Sequence, residues 1–174
     1  YDVAIVGGSF AGLAVAMQLQ GHRTVIIDQY AIGEHQMSAC GTPLTTARAM
    51  GAEVSTLEIH NALLLHTANK EIRFPLRDPF VTFDYHSFCQ AMLAQTDAEV
   101  WGTHATACSA CRVETGGGSV RAQFVVNATG WRTLPLTSTQ SLKTAKRVGY
   151  GLETTLPVWW QSSGLHFYFQ KQLV

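Results

Sequence analysis

The first thirty residues alternate short apolar runs with a glycine-rich turn and a stretch of small residues. The run Val3–Val6 is apolar, partly β-branched and closed at once by glycine, a pattern that predicts a buried parallel strand. The stretch from Phe10 to about Gln20 predicts a helix, and Thr24–Ile27 predicts a second strand. The order of strand, turn, helix and strand therefore predicts a βαβ unit of an α/β domain.

The turn between the first strand and the helix indicates a phosphate-binding loop. Gly7 permits a tight reversal of the chain, and Gly12 permits close packing of the helix on the sheet. The amide hydrogens and the positive dipole end at the start of the helix favour a pyrophosphate. Ser9 departs from the fingerprint G-x-G-x-x-G, but its hydroxyl can donate a hydrogen bond to a phosphate.

An acidic residue, Asp28, follows the second strand. It lies about twenty residues after Gly7, the spacing at which an acid binds a ribose hydroxyl of a dinucleotide. Because a carboxylate disfavours a ribose phosphate, the pattern predicts FAD or NAD rather than NADP. The alternative is a glycine turn that only joins strand to helix, but the full context favours a nucleotide site.

Apolar runs continue beyond this unit. Helices are predicted at residues 45–51 and 83–96. Strands are predicted at residues 56–66, 71–76, 99–107, 110–114, 120–126, 147–156 and 165–169. Residues 67–70 and 116–118 predict turns, and Pro75 and Pro79 predict the end of the first hairpin.

The run Phe124–Gly130 predicts a second approach to the nucleotide. It is an apolar strand that opens into small residues, so that a backbone can come close to a ligand where the strand ends. In a doubly wound sheet, ligands lie beyond the carboxyl ends of the strands. Ala128, Thr129 and Gly130 are therefore expected near the same nucleotide as Gly7, although an ordinary strand and turn would suffice if the motif stood alone.

Composition and charge narrow the function classes. The 174 residues are 47% hydrophobic, which suits one good core or one core plus part of another. Twelve basic residues balance twelve acidic ones, so no electrostatic footprint indicates nucleic acid. No apolar stretch reaches the roughly 20 residues of a transmembrane helix. The chain opens directly into a strand without a signal peptide, so we expect a cytoplasmic location, with peripheral membrane association left open.

The four cysteines are expected to be thiols rather than disulfides, because the expected compartment is reducing. Cys108 and Cys111 form a C-x-x-C pattern with His104 four residues upstream. A structural zinc site wants four ligands, and no second pair has ligand spacing, so we expect no metal.

Five motifs occur in a characteristic order: DVAIVGGSFAGLAVA, VIID, ACGTPL, FVVNATGW and GLHFYF. Together they resemble the FAD-dependent oxidoreductases of the geranylgeranyl reductase family. This family belongs to the hydroxylase-like flavoprotein group, which includes aromatic hydroxylases and flavin halogenases. The Cys40-Gly41 loop and Leu165–Phe169 are the segments that indicate the reductase branch.

The resemblance implies FAD as the cofactor, with NAD(P)H as a candidate electron donor. It implies that the ADP half is bound by the early turn and the acid after the second strand, at Gly7, Gly8, Ser9, Phe10, Ala11, Gly12, Asp28 and Gln29. It implies further cofactor contacts at Gly41, Tyr85, Ala105, Ala128, Thr129 and Gly130. Cys40 is the candidate functional thiol beside the flavin ring, and the alternative is a small residue that lines a tight loop.

Two departures from the family pattern bear on the flavin site. Where the hydroxylase-like pattern has an arginine at the start of the middle helix, this chain has Tyr85, followed by His86. The family also has a later glycine-aspartate motif, and nothing after Gly130 provides it. We therefore expect that a C-terminal part of the same protein is missing from this chain.

The resulting expectation is a flavoprotein oxidoreductase that reduces carbon-carbon double bonds of an isoprenoid-like or other apolar substrate. One alternative is a flavin-dependent monooxygenase or halogenase, and another is a non-catalytic nucleotide-binding fragment. The expected fold is a Rossmann-like, three-layer α/β domain for FAD or NAD(P), with a partial β-rich substrate domain. The nucleotide domain is expected at residues 1–51 and 78–135, and the substrate domain at residues 52–77 and 136–174.

Overall fold

The computed structural model describes residues 1–36, 38–130 and 164–169. They form two compact units, one of residues 1–36 and 85–130 and the other of residues 38–84 and 164–169. In chain order the strands are β1 Val3–Val6, β2 Thr24–Asp28, β3 Gly41–Pro43, β4 Thr56–His66, β5 Glu71–Phe83, β6 Glu99–Gly102, β7 Ala105–Cys108, β8 Arg112–Thr115, β9 Gly118–Arg121, β10 Phe124–Asn127 and β11 Gly164–Tyr168. The helices are α1 Phe10–Met17, α2 Leu44–Ala49 and α3 Tyr85–Leu93, with a 3₁₀ turn at Glu53–Ser55. None of the helices in these described ranges is long and apolar enough to cross a bilayer.

A four-stranded parallel sheet in the order β10-β1-β2-β6 organises the first unit. Val3 on β1 is aligned with Thr24 on β2 and with Phe124 on β10, while β2 also runs parallel to β6. The successive residues Val25–Ile27 are all fully buried. A strand buried at successive positions is covered on both faces, which explains why its sequence is continuously apolar.

The two faces of this sheet are covered by different layers. One face packs against the antiparallel sheet β7-β8-β9. The residues of β1 and β2 on that face are Ala4, Val6, Val25 and Ile27. On the opposite face, Ile5 lies under the start of α1, where its Cγ2 atom would be 3.2 Å from a Cβ at Gly12. The rings of Phe10 on α1 and Phe88 on α3 lie edge to face, 5.2 Å apart. These layers confirm the predicted Rossmann-like three-layer α/β class.

The second unit is built on a sheet in the order β11-β4-β5-β3. β4 and β5 form a long antiparallel hairpin, in which His66 is aligned with Glu71 beside the turn. β11 runs parallel to β4, and β3 runs antiparallel to β5. α2 follows β3 directly and buries Leu44 and Ala47. This unit is therefore rich in strands, with one short helix.

The prediction that Pro75 and Pro79 end the hairpin was wrong, because β5 continues past both. Pro75 is aligned with Ala62 on β4, and the next aligned pair is Phe80 with His60. The residues between Pro75 and Phe80 therefore lie at a register shift of the ladder. Proline has no amide hydrogen to donate, and an irregularity of this kind is where a strand tolerates it.

Two predicted strands are each divided in the structure. Residues 99–107 form β6 in the parallel sheet and β7 in the antiparallel sheet, and residues 120–126 contribute to β9 and β10. The first division lies at Thr103, whose amide donates to the carbonyl oxygen of Asp28 at 2.8 Å. Because the residues on both sides of the division are similarly apolar, the sequence pattern predicts one continuous strand where the structure has two. The predicted strand 147–156 lies outside the described residues.

The two units divide the chain at other residues than the predicted domains do. The predicted nucleotide domain includes residues 38–51 and 78–84, and the structure groups both segments with the second unit. The physical reason is strand pairing, because Gly41–Pro43 forms an edge strand on β5. That the second unit belongs to a substrate domain stays a prediction, and residues 131–163 of that prediction lie outside the described part of the chain.

Replacing Ile26 tests the burial of the parallel sheet. Because Ile26 is fully buried on β2, Ile26→Ala removes apolar contacts and leaves a cavity. We expect the free energy of unfolding, measured by chemical denaturation, to fall by about 2–5 kcal/mol. Val100 is aligned with Ile26 on β6 but is 39% exposed, so Val100→Ala should change it by no more than about 0.5 kcal/mol. Equal losses in the two variants would contradict the layered packing.

Candidate functional site

The carboxyl ends of the parallel strands meet at one edge of the first unit. β1 leads into Gly7, β10 leads into Ala128, and β2 ends on Asp28. The register places these ends side by side, since Val6 is aligned with both Ile27 and Asn127. In open α/β sheets this edge is where ligands bind.

The backbone around Gly7 approaches two neighbouring segments closely. Gly7 has φ +106°, and a Cβ at this position would lie 2.5 Å from the carbonyl oxygen of Ala128. The amide of Gly7 donates to Ile27 at 2.9 Å, and the amide of Ala128 donates to Val6 at 2.8 Å. A Cβ at Gly12 would overlap the carbonyl oxygen of Gly7. Only glycine at positions 7 and 12 therefore allows α1 to begin this close to the sheet.

The first turn of α1 presents amide donors at this edge. Ser9 is the N-cap in an extended conformation, and its carbonyl accepts the first helical bond from Leu13 at 2.9 Å. Its side chain makes no capping hydrogen bond. The first amides of a helix have no acceptor within the helix, and Ala11 in this turn is exposed. The arrangement suits an anion.

The Asp28 carboxylate is held beside this turn by two backbone donors. The amide of Gly8 donates to Oδ2 at 2.7 Å, and the amide of Tyr30 donates to Oδ1 at 2.9 Å. An ionised carboxylate has about four lone-pair sites, so about two remain for further donors. The side chain therefore keeps acceptor sites for further hydrogen-bond donors.

Tyr85, which stands where the family pattern has arginine, reaches the same turn. Its hydroxyl lies 2.9 Å from the Ser9 hydroxyl, and its ring packs edge to face on Phe10, 5.2 Å between centroids. Tyr85 is only 5% exposed. Burial is the largest cause that raises the pKa of its hydroxyl, so Tyr85 stays neutral near pH 7 and can donate. The structure thus brings Ser9, Phe10 and Tyr85 together.

Gln29 and His104 form a second polar contact at this edge. The Gln29 Oε1 atom lies 2.9 Å from His104 Nδ1. In the sequence, His104 stands out only by its position four residues before the C-x-x-C pattern of Cys108 and Cys111, which does not predict a place at this edge. Its position after β6, which ends beside β2, is the signal that could have indicated it. Ala105 follows His104, and its side chain is buried in the core of the first unit.

The segment after β10 has a defined turn. Asn127 Oδ1 accepts from the Thr129 amide at 3.2 Å and from the Thr129 hydroxyl at 2.7 Å. Gly130 has φ +70°, and no atom of the described residues lies within 4 Å of where its Cβ would be. The carbonyl oxygen of Ala128 lies beside Gly7, so this turn begins at the same edge of the sheet. A contact of Ala128, Thr129 and Gly130 with a nucleotide stays a prediction.

Cys40 and Gly41 belong to the second unit, whereas the other candidate residues belong to the first. A Cβ at Gly41 would lie 2.5 Å from the ring of Phe80, so packing alone explains this glycine. The carbonyl oxygen of Cys40 accepts from the amide of Phe83 at 3.1 Å. These contacts fit the alternative of a tight loop, and a role beside a flavin ring stays a prediction.

The C-x-x-C pair has two different environments. Cys108 is buried in the core, which raises the pKa of its thiol, while Cys111 is exposed. Within residues 1–36, 38–130 and 164–169, no group of three histidine, cysteine or acidic side chains is arranged to hold a metal ion.

Solved structures share this fold. PqsL of P. aeruginosa in complex with 2-aminobenzoylacetate is 20% identical, with a TM-score of 0.62 over 76% of this chain and 43% of that chain. The tetrameric 2-methyl-3-hydroxypyridine-5-carboxylic acid oxygenase is 18% identical, with a TM-score of 0.61 over 76% and 40%. The halogenase PltM in complex with phloroglucinol and FAD is 18% identical, with a TM-score of 0.59 over 76% and 35%.

At these identities the similarity shows the fold alone, a Rossmann-like α/β domain. The chain spans less than half the length of each of these three proteins. No protein-family model matches the sequence, and no curated protein matches it significantly.

Replacing Gly7 tests the close approach of the three backbones. Gly7→Ala forces a Cβ toward Ala128 and a positive φ onto an L side chain, so we expect a loss of at least about 1 kcal/mol of unfolding free energy. Chemical denaturation followed by circular dichroism measures it. Gly102→Ala is the matched control, because nothing lies within 4 Å of its Cβ position and its φ is not positive. A stable Gly7→Ala protein would contradict this description of the turn.

Proposed function

We propose that the first unit binds the ADP half of FAD at the carboxyl edge of its parallel sheet, and that the whole protein is an FAD-dependent oxidoreductase. The observation that carries the proposal is the cradle formed by Gly7, Gly12 and the start of α1, with the Asp28 carboxylate beside it. The fold shared with the FAD complex of PltM supports the choice of FAD.

Each group in the cradle has a physical task in this proposal. The amides of the first turn of α1 donate to the pyrophosphate, and the helix dipole favours its negative charge. Asp28 accepts from the ribose hydroxyls with its two remaining lone-pair sites. Its carboxylate repels a ribose phosphate, which favours FAD over a phosphorylated dinucleotide such as NADP. Gln29, Ala105, Thr129 and Gly130 border the same edge and are further candidates for contact with the cofactor.

When bound, FAD supplies hydride transfer or the reaction of reduced flavin with oxygen, and the protein supplies binding and orientation. The protein's own contribution is the backbone conformation at Gly7 and the two hydrogen bonds from backbone amides that hold Asp28. Groups that are already held in position lower the ordering cost of binding.

For the chemistry of the whole protein, the motif resemblance supports reduction of carbon-carbon double bonds in an isoprenoid-like or other apolar substrate. NAD(P)H is the proposed electron donor. A second candidate, a flavin-dependent monooxygenase or halogenase, is favoured by the fold shared with an oxygenase and a halogenase. The chain covers only part of such proteins, so either activity is proposed for the complete protein.

Asp28→Asn tests the proposed ribose contact. The amide keeps the size of the side chain but replaces one acceptor oxygen by a donor, so we expect the dissociation constant for FAD to rise at least about tenfold. Equilibrium dialysis with detection of flavin absorbance measures it. Asp97→Asn changes an exposed carboxyl in the loop between α3 and β6, so this variant is the control and should bind FAD like the wild type. A colourless wild-type protein that cannot be loaded with FAD would refute the proposed function itself.

The reaction with oxygen separates the two chemistries. For the reductase, we expect the complete protein loaded with FAD and reduced by NAD(P)H to react slowly with oxygen and to reduce an alkene. For the monooxygenase or halogenase, we expect fast oxygen consumption coupled to a modified substrate. An oxygen electrode with product analysis by mass spectrometry measures both. Bound FAD that is never reduced by NADH or NADPH would contradict NAD(P)H as the electron donor.

A further inference from the structure

Within the described residues of the first unit, no lysine or arginine lies at the proposed pyrophosphate site. In residues 1–36 and 85–130 there is no lysine, and the arginines are Arg23, Arg112 and Arg121. Arg23 precedes β2 at the opposite edge of the parallel sheet, beside Asp2. Arg112 and Arg121 lie opposite each other on β8 and β9, and Arg112 pairs with Glu114. Within the described part of the first unit, a dianionic pyrophosphate at this edge would therefore depend on donors other than lysine and arginine.

The Ser9 and Tyr85 hydroxyls stand where such a donor is needed. Ser9 replaces a glycine of the fingerprint, and Tyr85 replaces the arginine of the resembling family. Their oxygens lie 2.9 Å apart although the residues are 76 positions apart in sequence. Because the Ser9 side chain makes no capping bond within α1, its hydroxyl is held by Tyr85 rather than by the helix.

The number of hydroxyl protons determines what this pair can do. A hydrogen bond between two hydroxyls uses one of their two protons, which leaves one for a third group. The Cys89 thiol lies one helical turn after Tyr85. Burial raises the pKa of Cys89 to about 11, so the thiol keeps its proton near pH 7. When Tyr85 donates to Ser9, the Ser9 proton remains for a group outside the pair.

We propose that Ser9 and Tyr85 form a neutral hydroxyl clamp, in which Tyr85 donates to Ser9 and Ser9 donates its own proton to the pyrophosphate of the bound dinucleotide. This inference rests on the proposed function, because it assigns donors to the same site. The anion selects the orientation in which the Tyr85 proton points toward Ser9 and the Ser9 proton points toward the anion. Hydrogen bonds aligned in this way strengthen one another. Tyr85 acts through Ser9 and is therefore a positioning residue.

The affinity of four variants for FAD tests the clamp. We expect Ser9→Ala to raise the dissociation constant about ten- to hundredfold, as for loss of a hydrogen bond to a charged group. Tyr85→Phe, which keeps the ring packing on Phe10, should raise it less. The double variant should bind no more weakly than Ser9→Ala alone, because Tyr85 acts through Ser9. Ser9→Thr restores a hydroxyl and should recover most of the affinity.

The controls separate a lost clamp from a damaged fold. Ser109→Ala removes a hydroxyl that bonds the carbonyl of Arg112 in the antiparallel sheet, so it should leave FAD affinity unchanged. Ser9→Ala leaves the buried Tyr85 hydroxyl without its Ser9 partner, so its melting temperature without FAD should fall by about 2–4 °C while the protein stays folded. Tyr85→Phe removes that hydroxyl and should lower the melting temperature less. Wild-type affinity in Ser9→Ala would overturn the clamp while leaving the proposed function intact. A wild-type protein without FAD affinity would instead refute the proposed function.

Salt dependence provides an independent readout. With neutral donors, the dissociation constant of the wild type for FAD should change by less than about twofold between roughly 50 mM and 500 mM NaCl. Tyr85→Arg introduces the cation of the family pattern and should make binding clearly dependent on salt. A steep dependence in the wild type that disappears in Arg132→Gln would show that a cation outside the described residues binds the pyrophosphate. That result would overturn the neutral clamp.

Discussion

The close approach of three backbone segments around Gly7 is the constraint on which the first unit depends. The end of β1, the start of α1 and the end of β10 come so near that a Cβ at Gly7 or Gly12 would strike a carbonyl oxygen. Because these segments meet there, the amides of α1, the Asp28 carboxylate and the turn after β10 share one edge of the sheet. The geometry of the candidate site is thus a consequence of backbone packing, and side chains refine it.

The parts of this arrangement that are local in sequence could be predicted. The βαβ unit occupies a short stretch in which the apolar run, the glycine turn and the acid at Asp28 each carry an independent signal. Burial on both faces makes β1 and β2 continuously apolar, which distinguishes them from the half-exposed strands of the second unit. Consistent local signals of this kind determine a fold class well.

The parts that depend on distant pairing could not be predicted. An apolar run does not reveal that the chain changes sheet at Thr103, because each half is buried in its own layer. Pro75 and Pro79 would end the strand if its hydrogen-bond ladder were regular. The ladder has a register shift beside them, so the strand continues. Likewise, the sequence does not indicate that Gly41 packs against the ring of Phe80, which lies distant in sequence. The boundary between the two units differs from the predicted domain boundary for the same reason, because the pairing of β3 with β5 places residues 38–51 in the second unit.

The two departures from the resembling family are linked by one contact. Taken alone, Ser9 adds a side chain where backbone should approach phosphate, and Tyr85 lacks the charge of an arginine. Taken together, each gives the other a hydrogen-bond partner in a largely buried position, where an unpaired hydroxyl would be costly. A glycine at position 9 would leave the buried Tyr85 hydroxyl without its Ser9 partner. An arginine at position 85 would place a charge in this buried position. Ser9 and Tyr85 are therefore best understood together. In place of the glycine and the arginine of the family pattern, they provide two neutral hydroxyls that hydrogen-bond with each other.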